Sequence, residues 1–172
     1  MTDLRIVMPV RNEGSQLLQR LRAVLPLRQR GAELVVVDGG STDKTWAVAC
    51  AHADRVLLAP QGRASQMNAG AAGSNAEALL FLHADTQLPE DADHMIATAL
   101  QAGRCWGRFD VRIDGAHPML RIVERLMNLR SRLTGIATGD QALFVRRDLF
   151  EHLRGFADLP LMEDIELSLI HI

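Results

Sequence analysis

The sequence predicts an α/β protein with a mostly parallel central sheet flanked by helices. Short, continuous apolar runs recur along the first half of the chain, as expected of strands buried on both faces of a sheet. Segments with helical spacing separate these runs, which predicts βαβ units with right-handed crossovers. In the second half one segment alternates apolar and polar residues, which predicts a half-exposed strand antiparallel to the earlier ones.

Each element of the first half has its own signal. Four apolar runs predict strands over residues 4–10, 33–37, 55–58 and 78–82. Helical spacing or small residues predict helices over 17–25, around 46–50, over 64–73 and from about 89 to 100. We expect Pro26 and Gly31 to close the first helix, and Ser41 to cap the second.

The second half begins with the alternating segment 105–113, and a helix is predicted from Pro118 to about residue 133. A last strand is expected over 142–145 and a short helix over 147–153. The helix at 118–133 carries four arginines between its apolar residues. It is typical either of an amphipathic core helix or of a helix lying on a membrane surface.

Composition narrows the possible functions. The chain has 172 residues, which suits one domain, and a net charge of −2 without a basic stripe argues against nucleic acid as the main partner. Cys50 and Cys105 are isolated, which favours a reducing, cytoplasmic location. A strand that begins at Leu4 leaves no length for a signal peptide, and no apolar run is long enough to span a bilayer.

Acidic residues stand where the loops after the strands are expected to converge. Asp38 follows the second strand, Asp85 follows the fourth, and Glu163 and Asp164 open a predicted helix near the end of the chain. Ligands of open α/β sheets bind at the carboxyl ends of the strands. Each carboxylate is therefore a candidate to bind a base, hold a cation or abstract a proton, although turn formation and helix capping explain each one singly.

The glycine-containing turns do not match the common phosphate-binding motifs. The turn at 39–41 lacks the Gly-Lys-Ser/Thr ending of a Walker loop, and no GxGxxG follows the first strand. Arg63, after Gly62, is a candidate cation for phosphates or a solvated surface residue.

Taken together, these segments resemble the family 2 glycosyltransferases, which have the GT-A fold, and in particular its small bacterial members. The match covers nearly the whole chain in the family's order, through residues 6–13, 36–45, 62–63, 67–70, 81–86, 139–141 and 162–166. The resemblance implies one domain over 1–172, with a nucleotide-binding half at 1–88 and an acceptor-side half at 89–172.

The resemblance also implies roles for the first-half residues. Pro9, Arg11 and Glu13 would line the nucleotide pocket, and Asp38 would hydrogen-bond the base. Arg63 would lie near the base or the diphosphate. The implied donor is a nucleotide-diphosphate sugar, with a uridine nucleotide suggested by the family alone.

The implied chemistry is an inverting transfer. Asp85 corresponds to the last Asp of the family's DxD motif, which holds Mn²⁺ or Mg²⁺ on the diphosphate. Asp164, beside Glu163, matches the general base that deprotonates the acceptor hydroxyl. His83 replaces the first Asp of the motif, which favours Mn²⁺ over Mg²⁺ or gives His83 a contact with the ribose.

The chain departs from the family at its end. After Glu166 the family continues with a longer polar helix, whereas this chain has the apolar residues 167–172. We therefore expect a truncated acceptor side and an apolar end that favours homo-oligomers. The sequence does not determine the acceptor, and a lipid carrier, a saccharide and a small metabolite are all compatible with it. The helix at 118–133 is the candidate for peripheral membrane contact.

Two other functions remain at this point. A sugar-phosphate nucleotidyltransferase would carry a Gly-rich, basic loop after its first strand, where this chain has Pro9 to Gly14. A nucleotide-binding module without turnover is compatible with His83 and with the short C-terminus.

Overall fold

A computed structural model describes residues 3–135 and 141–157 and shows one six-stranded sheet with the order β3-β2-β1-β4-β6-β5. The strands are β1 Leu4–Val10, β2 Glu33–Asp38, β3 Arg55–Leu58, β4 Ala78–Phe81, β5 Trp106–Arg108 and β6 Leu143–Arg146. The helices are α1 Leu17–Ala23, α2 Leu25–Gln29, α3 Thr45–His52, α4 Arg63–Ala71, α5 Ala92–Gln101, α6 Pro118–Thr134 and α7 Arg147–His152.

The sheet is mostly parallel, as predicted. Strands β1 to β4 run in one direction, and the register aligns Val10 with Asp38 and Asp38 with Leu58. Strand β6 is antiparallel to both β4 and β5. The predicted fold class is therefore confirmed, but the reversed strand is β6 and not the alternating segment at 105–113.

Strand β5 is also shorter than the alternation predicts. The segment after it is held by side chains of α6 instead of a neighbouring strand. Asn128 accepts from the backbone N–H of Val111 and donates to its carbonyl, at 2.9 Å each, and Glu124 accepts from the N–H of Ile113 at 3.0 Å. These bonds satisfy the backbone N–H and C=O groups of the segment in place of a neighbouring strand. The alternation of apolar and polar residues therefore extends beyond the end of β5.

Three helix boundaries differ from prediction. Pro26 does not close the first helix; it stands in the first turn of α2, where its missing N–H is harmless. Ser41 does not cap α3, because its hydroxyl is bonded to Asp38 and the helix begins at Thr45. Helix α4 ends at Ala71, before Gly73.

The core has two layers, one on each face of the sheet. On one face, Ile6 and Met8 of β1 belong to a cluster with Leu17 of α1 and Ile96 of α5. On the other face, a second cluster joins β1 and β4 to α4 and α7 through Val7, Phe81, Met67 and Phe150. The period-two alternation within β1 explains why one strand supplies both layers.

Helix α4 packs unusually close to the sheet because Gly70 has no side chain. A Cβ at Gly70 would lie 2.4 Å from Val7 Cγ1 and 2.9 Å from Val37 Cγ2. Arg5, which is 4% exposed, donates to the carbonyls of Gly70 and Ala72 at the end of the helix. These contacts hold α4 against the sheet. The N-terminus of α4, which includes Arg63, therefore lies just after the carboxyl end of β3.

Helix α6 is not a core helix. Ser131 is its only buried residue, and most of its large apolar side chains are exposed, whereas Leu120 and Met127 are half-buried. Within the described residues, no helix combines the length and apolarity needed to cross a bilayer.

Candidate functional site

The loops after β1 and β2 are joined by hydrogen bonds at the carboxyl edge of the sheet. The N–H of Asn12 donates to Ser41 Oγ at 2.9 Å, and Asn12 Oδ1 accepts from the N–H of Thr42 at 2.9 Å. The N–H of Glu13 donates to Thr45 Oγ1 at 2.8 Å. Asn12 has a φ of 55°, a conformation that Asn tolerates better than most residues. The two loops therefore form one structural unit.

Asp38 lies beneath this unit and is only 1% exposed. Its Oδ1 accepts from the N–H and the hydroxyl of Ser41, at 2.8 and 2.7 Å. The base contact implied for Asp38 would therefore have to use Oδ2. The role of Asp38 stays a prediction, and its position at the end of β2 agrees with the sequence.

Gln66 of α4 holds the ends of β1 and β2 together. Its Nε2 donates to the carbonyl of Val10 at 3.0 Å and to that of Val37 at 2.8 Å. Gly39 is required above it, since a Cβ there would lie 2.9 Å from Gln66 Oε1. The small-residue pattern of this helix did not single out Gln66; the signal was a polar residue on the buried face of a helix.

The remaining predicted nucleotide residues lie at the same edge of the sheet. Pro9 pairs with Val37 in the β1–β2 register and is half-buried. Arg11 is exposed, and Glu13 is half-buried in the loop that leads to α1. Arg63 is exposed in the first turn of α4. Their contacts with a nucleotide remain predictions.

His83 and Asp85 have opposite environments. His83 is 6% exposed, in the chain that continues β4, where the N–H of Leu82 donates to the carbonyl of Val7 at 3.0 Å. Asp85 is exposed, and its Oδ1 has one long contact, 3.4 Å from Thr86 Oγ1. The carboxylate of Asp85 is thus accessible to an incoming ligand, whereas His83 is turned towards the protein.

The described residues fit a cation that arrives with a diphosphate. They contain no cluster of three or more His, Cys, Asp or Glu side chains arranged to hold a metal. Asp85 offers one accessible carboxylate. Mg²⁺ usually binds through one or two carboxylates together with substrate phosphates and water, so Asp85 suits such shared coordination.

A cavity of about 1240 Å³ opens beside Asp85. Its walls come from the loop after β4, the segment 109–115, α6 and α1. Arg20 of α1 lines it, and within the described residues Arg20 Nε is buried without a hydrogen-bond partner. Arg112 also lines it and forms no ion pair with another described residue. Sequence patterns did not single out these two arginines, because helical spacing does not tell which cavity a surface cation faces.

Some predicted residues lie outside the described ranges. These are Glu163 and Asp164, Gly139 and Asp140, for which the sequence predicts a turn, and the apolar end 167–172. The neighbouring Gln141 is described and buried; it lines the cavity, and its carbonyl accepts from the N–H of Phe109 at 2.7 Å. The predicted catalytic roles of Glu163 and Asp164 remain predictions.

Asp43 braces the two loops, and this gives a pH-dependent prediction. Hydrogen bonds from the Thr45 hydroxyl and N–H, and from the N–H of Gly14, hold the pKa of Asp43 below its usual value. A lowered pKa in the folded state means stability that is present above the unfolded-state pKa of about 3.9 and lost as pH falls through the folded value. We expect Asp43→Asn to lower the free energy of unfolding at neutral pH, and the difference from wild type to shrink on acidification.

Urea unfolding of both proteins at several pH values measures this difference. Asp91→Asn is the control, because Asp91 is exposed and makes no side-chain capping bond to α5. A difference that is constant with pH, or that grows as pH falls, would contradict the bracing role.

The fold and the sequence both match known sugar-transferring enzymes. The model of the family described as Glycosyl transferase family 2 matches residues 5–154. The undecaprenyl-phosphate 4-deoxy-4-formamido-L-arabinose transferase of Pseudomonas paraeruginosa is 32% identical over 155 residues, covering 82% of this chain and 45% of that protein.

Two solved structures show the same GT-A fold. The first is a mannosyltransferase from Pyrobaculum calidifontis in complex with GDP-Man and Mn²⁺, with a TM-score of 0.71, 22% identity and coverage of 97% of this chain and 52% of that one. The second is the glucosyl-3-phosphoglycerate synthase of Mycobacterium tuberculosis with Mn²⁺, UDP and glucosyl-3-phosphoglycerate, with a TM-score of 0.69, 20% identity and coverage of 96% and 63%.

The chain therefore has the GT-A fold of the glycosyltransferases. It belongs to glycosyl transferase family 2. It spans about half the length of the curated relatives that it matches. Membership of this family argues against the nucleotidyltransferase alternative.

Proposed function

We propose that this protein transfers a sugar from a nucleotide-diphosphate sugar to an acceptor hydroxyl with inversion at the anomeric carbon. The observation that carries the proposal is the accessible Asp85 carboxylate beside a large cavity, at the carboxyl edge of a family 2 sheet. Solved relatives of the same fold bind GDP-Man or UDP together with Mn²⁺, which supports this class of donor.

In the proposed donor site, the joined loops after β1 and β2 form the wall of the nucleotide pocket. Pro9, Arg11 and Glu13 lie along it, Asp38 meets the base, and Arg63 lies near the base or the diphosphate. Hydrogen bonds between the two loops fix their relative positions, which lowers the entropy cost of ordering them when a nucleotide binds. We propose that the donor is a uridine-diphosphate sugar.

Asp164 acts as the general base in this proposal, with Glu163 beside it. Asp164 takes the proton of the acceptor hydroxyl while that oxygen attacks the anomeric carbon. The bond to the diphosphate breaks on the opposite face, and the electron pair leaves with the nucleotide diphosphate. One base suffices, because inversion needs no covalent enzyme intermediate.

Asp85 would hold a divalent cation, Mn²⁺ or Mg²⁺, which stabilises the negative charge developing on the leaving diphosphate. His83 is buried and does not line the cavity, which favours a role in positioning the loop over direct coordination or a contact with the ribose.

We place the acceptor in the cavity beside Asp85. The cavity lining also carries the carboxylates of Asp85, Asp110 and Asp114, of which Asp110 is paired with Arg108 and Arg132. Arg20 and Arg112 have no ion-pair partner among the described residues, so they are available to hold an anionic group of the acceptor. A lipid phosphate fits this chemistry, with an oxygen of that phosphate as the attacking atom in place of an alcohol hydroxyl, and the Pseudomonas relative is named for an undecaprenyl-phosphate substrate. Saccharide and small-metabolite acceptors remain the alternatives.

Calorimetric titration with UDP, GDP and dTDP, each with and without Mn²⁺, tests the proposed donor site. We expect one nucleotide to bind more tightly when Mn²⁺ is present, because Asp85 and the phosphates share the cation. The same protein is then incubated with the matching nucleotide sugars to follow release of the nucleotide. Binding with no turnover of any donor would favour a nucleotide-binding module; no binding at all would contradict the proposal.

A further inference from the structure

The outward face of α6 is an apolar feature of the described surface. This face is formed by six side chains at helical spacing, Met119, Ile122, Val123, Leu126, Leu129 and Leu133, all of them exposed. Leu126 is 60% exposed and Leu133 is 77% exposed. Contiguous exposed apolar surface of this kind marks an interaction site more often than single exposed side chains do.

Polar residues of α6 fix its orientation, whereas a core helix is oriented by its apolar residues. Asn128 and Glu124 point inward and bond the backbone of 111–113, and Arg121 donates to the carbonyl of Ile113. Since both sides of the contact are hydrogen-bonded, rotating the apolar face inward would break these bonds. These hydrogen bonds therefore hold the helix with its apolar face outward.

The charges around the outward face are basic. Helix α6 contains four arginines and one glutamate, a formal charge of +3, in a chain whose net charge is −2. Glu124 is paired with Arg121, and Arg132 is paired with Asp110. Arg125 and Arg130 form no ion pair with any residue in the described part of the chain, and helical geometry places them at the border of the face or within it.

We propose that this face docks on an anionic lipid bilayer, with α6 lying in the plane of the interface. A helix of this length, apolar on one side and arginine-rich beside it, has the composition of interfacial helices. The basic charge favours an anionic surface by about 1 kcal/mol per arginine, or about fivefold in partitioning. A second copy is a poorer occupant, because pairing two such helices would bring like charges together.

This docking goes beyond the transferase proposal and does not depend on it. One wall of the cavity beside Asp85 is α6, which contributes Arg121 and Met127. A bilayer under the outward face would lie next to that wall. An acceptor carried in the bilayer would then reach the cavity from the membrane surface.

Co-sedimentation of the full chain with vesicles tests this docking. We expect binding to phosphatidylcholine vesicles that contain about one third phosphatidylglycerol, weak binding to pure phosphatidylcholine, and loss of binding as salt screens the arginines. Leu126→Glu should weaken partitioning at least about tenfold, since it removes apolar contact and adds negative charge. Arg125→Gln with Arg130→Gln should weaken it by about 25-fold.

The matched control is Leu58→Glu. Leu58 is 70% exposed on β3, the strand at the other edge of the sheet from β5, so this variant should bind vesicles like wild type. Arg22→Gln, at an exposed residue of α1, controls for loss of charge. Thermal unfolding of every variant verifies that the fold is retained.

Three results would overturn the proposal. The first is no binding of wild type to anionic vesicles. The second is an equal loss of binding in Leu58→Glu and Leu126→Glu. The third is a wild-type dimer that does not bind vesicles and that Leu126→Glu converts to a monomer, which would assign the face to self-association.

Discussion

Asp85→Ala is expected to abolish the gain in nucleotide affinity that Mn²⁺ provides. Asp85 is the accessible carboxylate of the cavity region after β4, with only a 3.4 Å contact to Thr86. Nucleotide binding without metal should be unchanged, because the loops after β1 and β2 remain intact. If the cation contributes several kcal/mol to the transition state, kcat/KM should fall by about 10³-fold.

Calorimetry with the selected nucleotide, with and without Mn²⁺, measures the first effect, and donor turnover measures the second. Asp91→Asn is the matched control, since it removes an exposed carboxylate six positions later in the same region. Metal-dependent binding that persists in Asp85→Ala would show that another group holds the cation.

Asp164→Asn is expected to abolish turnover while leaving nucleotide affinity unchanged. The amide keeps the size of the side chain but cannot accept the proton of the acceptor hydroxyl. Removal of a general base typically costs 10²- to 10⁴-fold in rate. Single-turnover kinetics with the nucleotide sugar, together with calorimetry of the same variant, separates the chemical step from binding.

Glu163→Gln distinguishes the two adjacent carboxylates. If Asp164 is the base, Glu163→Gln should retain far more activity than Asp164→Asn at every pH. The opposite order would assign proton abstraction to Glu163. Loss of nucleotide affinity in Asp164→Asn would mean that this residue belongs to the donor site and does not act as the base.

The apolar runs of the first half predicted the parallel sheet correctly, because a strand buried on both faces needs apolar side chains along its whole length. The same reasoning placed Asp38 correctly at the end of β2, whereas Asp85 lies four residues beyond Phe81, in the loop after β4. The ordered set of motifs predicted family membership, which the family model confirms over residues 5–154.

The local corrections share one cause. Ser41 was predicted as a helix cap, but its hydroxyl bonds Asp38 in a loop that also contacts Asn12. The strand at 105–113 was predicted too long, because Asn128, seventeen positions after Val111, supplies the backbone bonds. Side-chain bonds to distant backbone groups leave no periodic signal in the sequence.

The sequence by itself determined the fold class, the family and the place of Asp38 at the end of β2, because periodicity and motif order are local properties of the chain. The tertiary structure alone decided the direction of β6, the cavity beside Asp85 and the orientation of α6. The apolar spacing of α6 suits burial and exposure equally well. Contacts of Glu124 and Asn128 with 111–113 turn its apolar side outward, since these polar groups need the backbone partners that only the folded chain supplies.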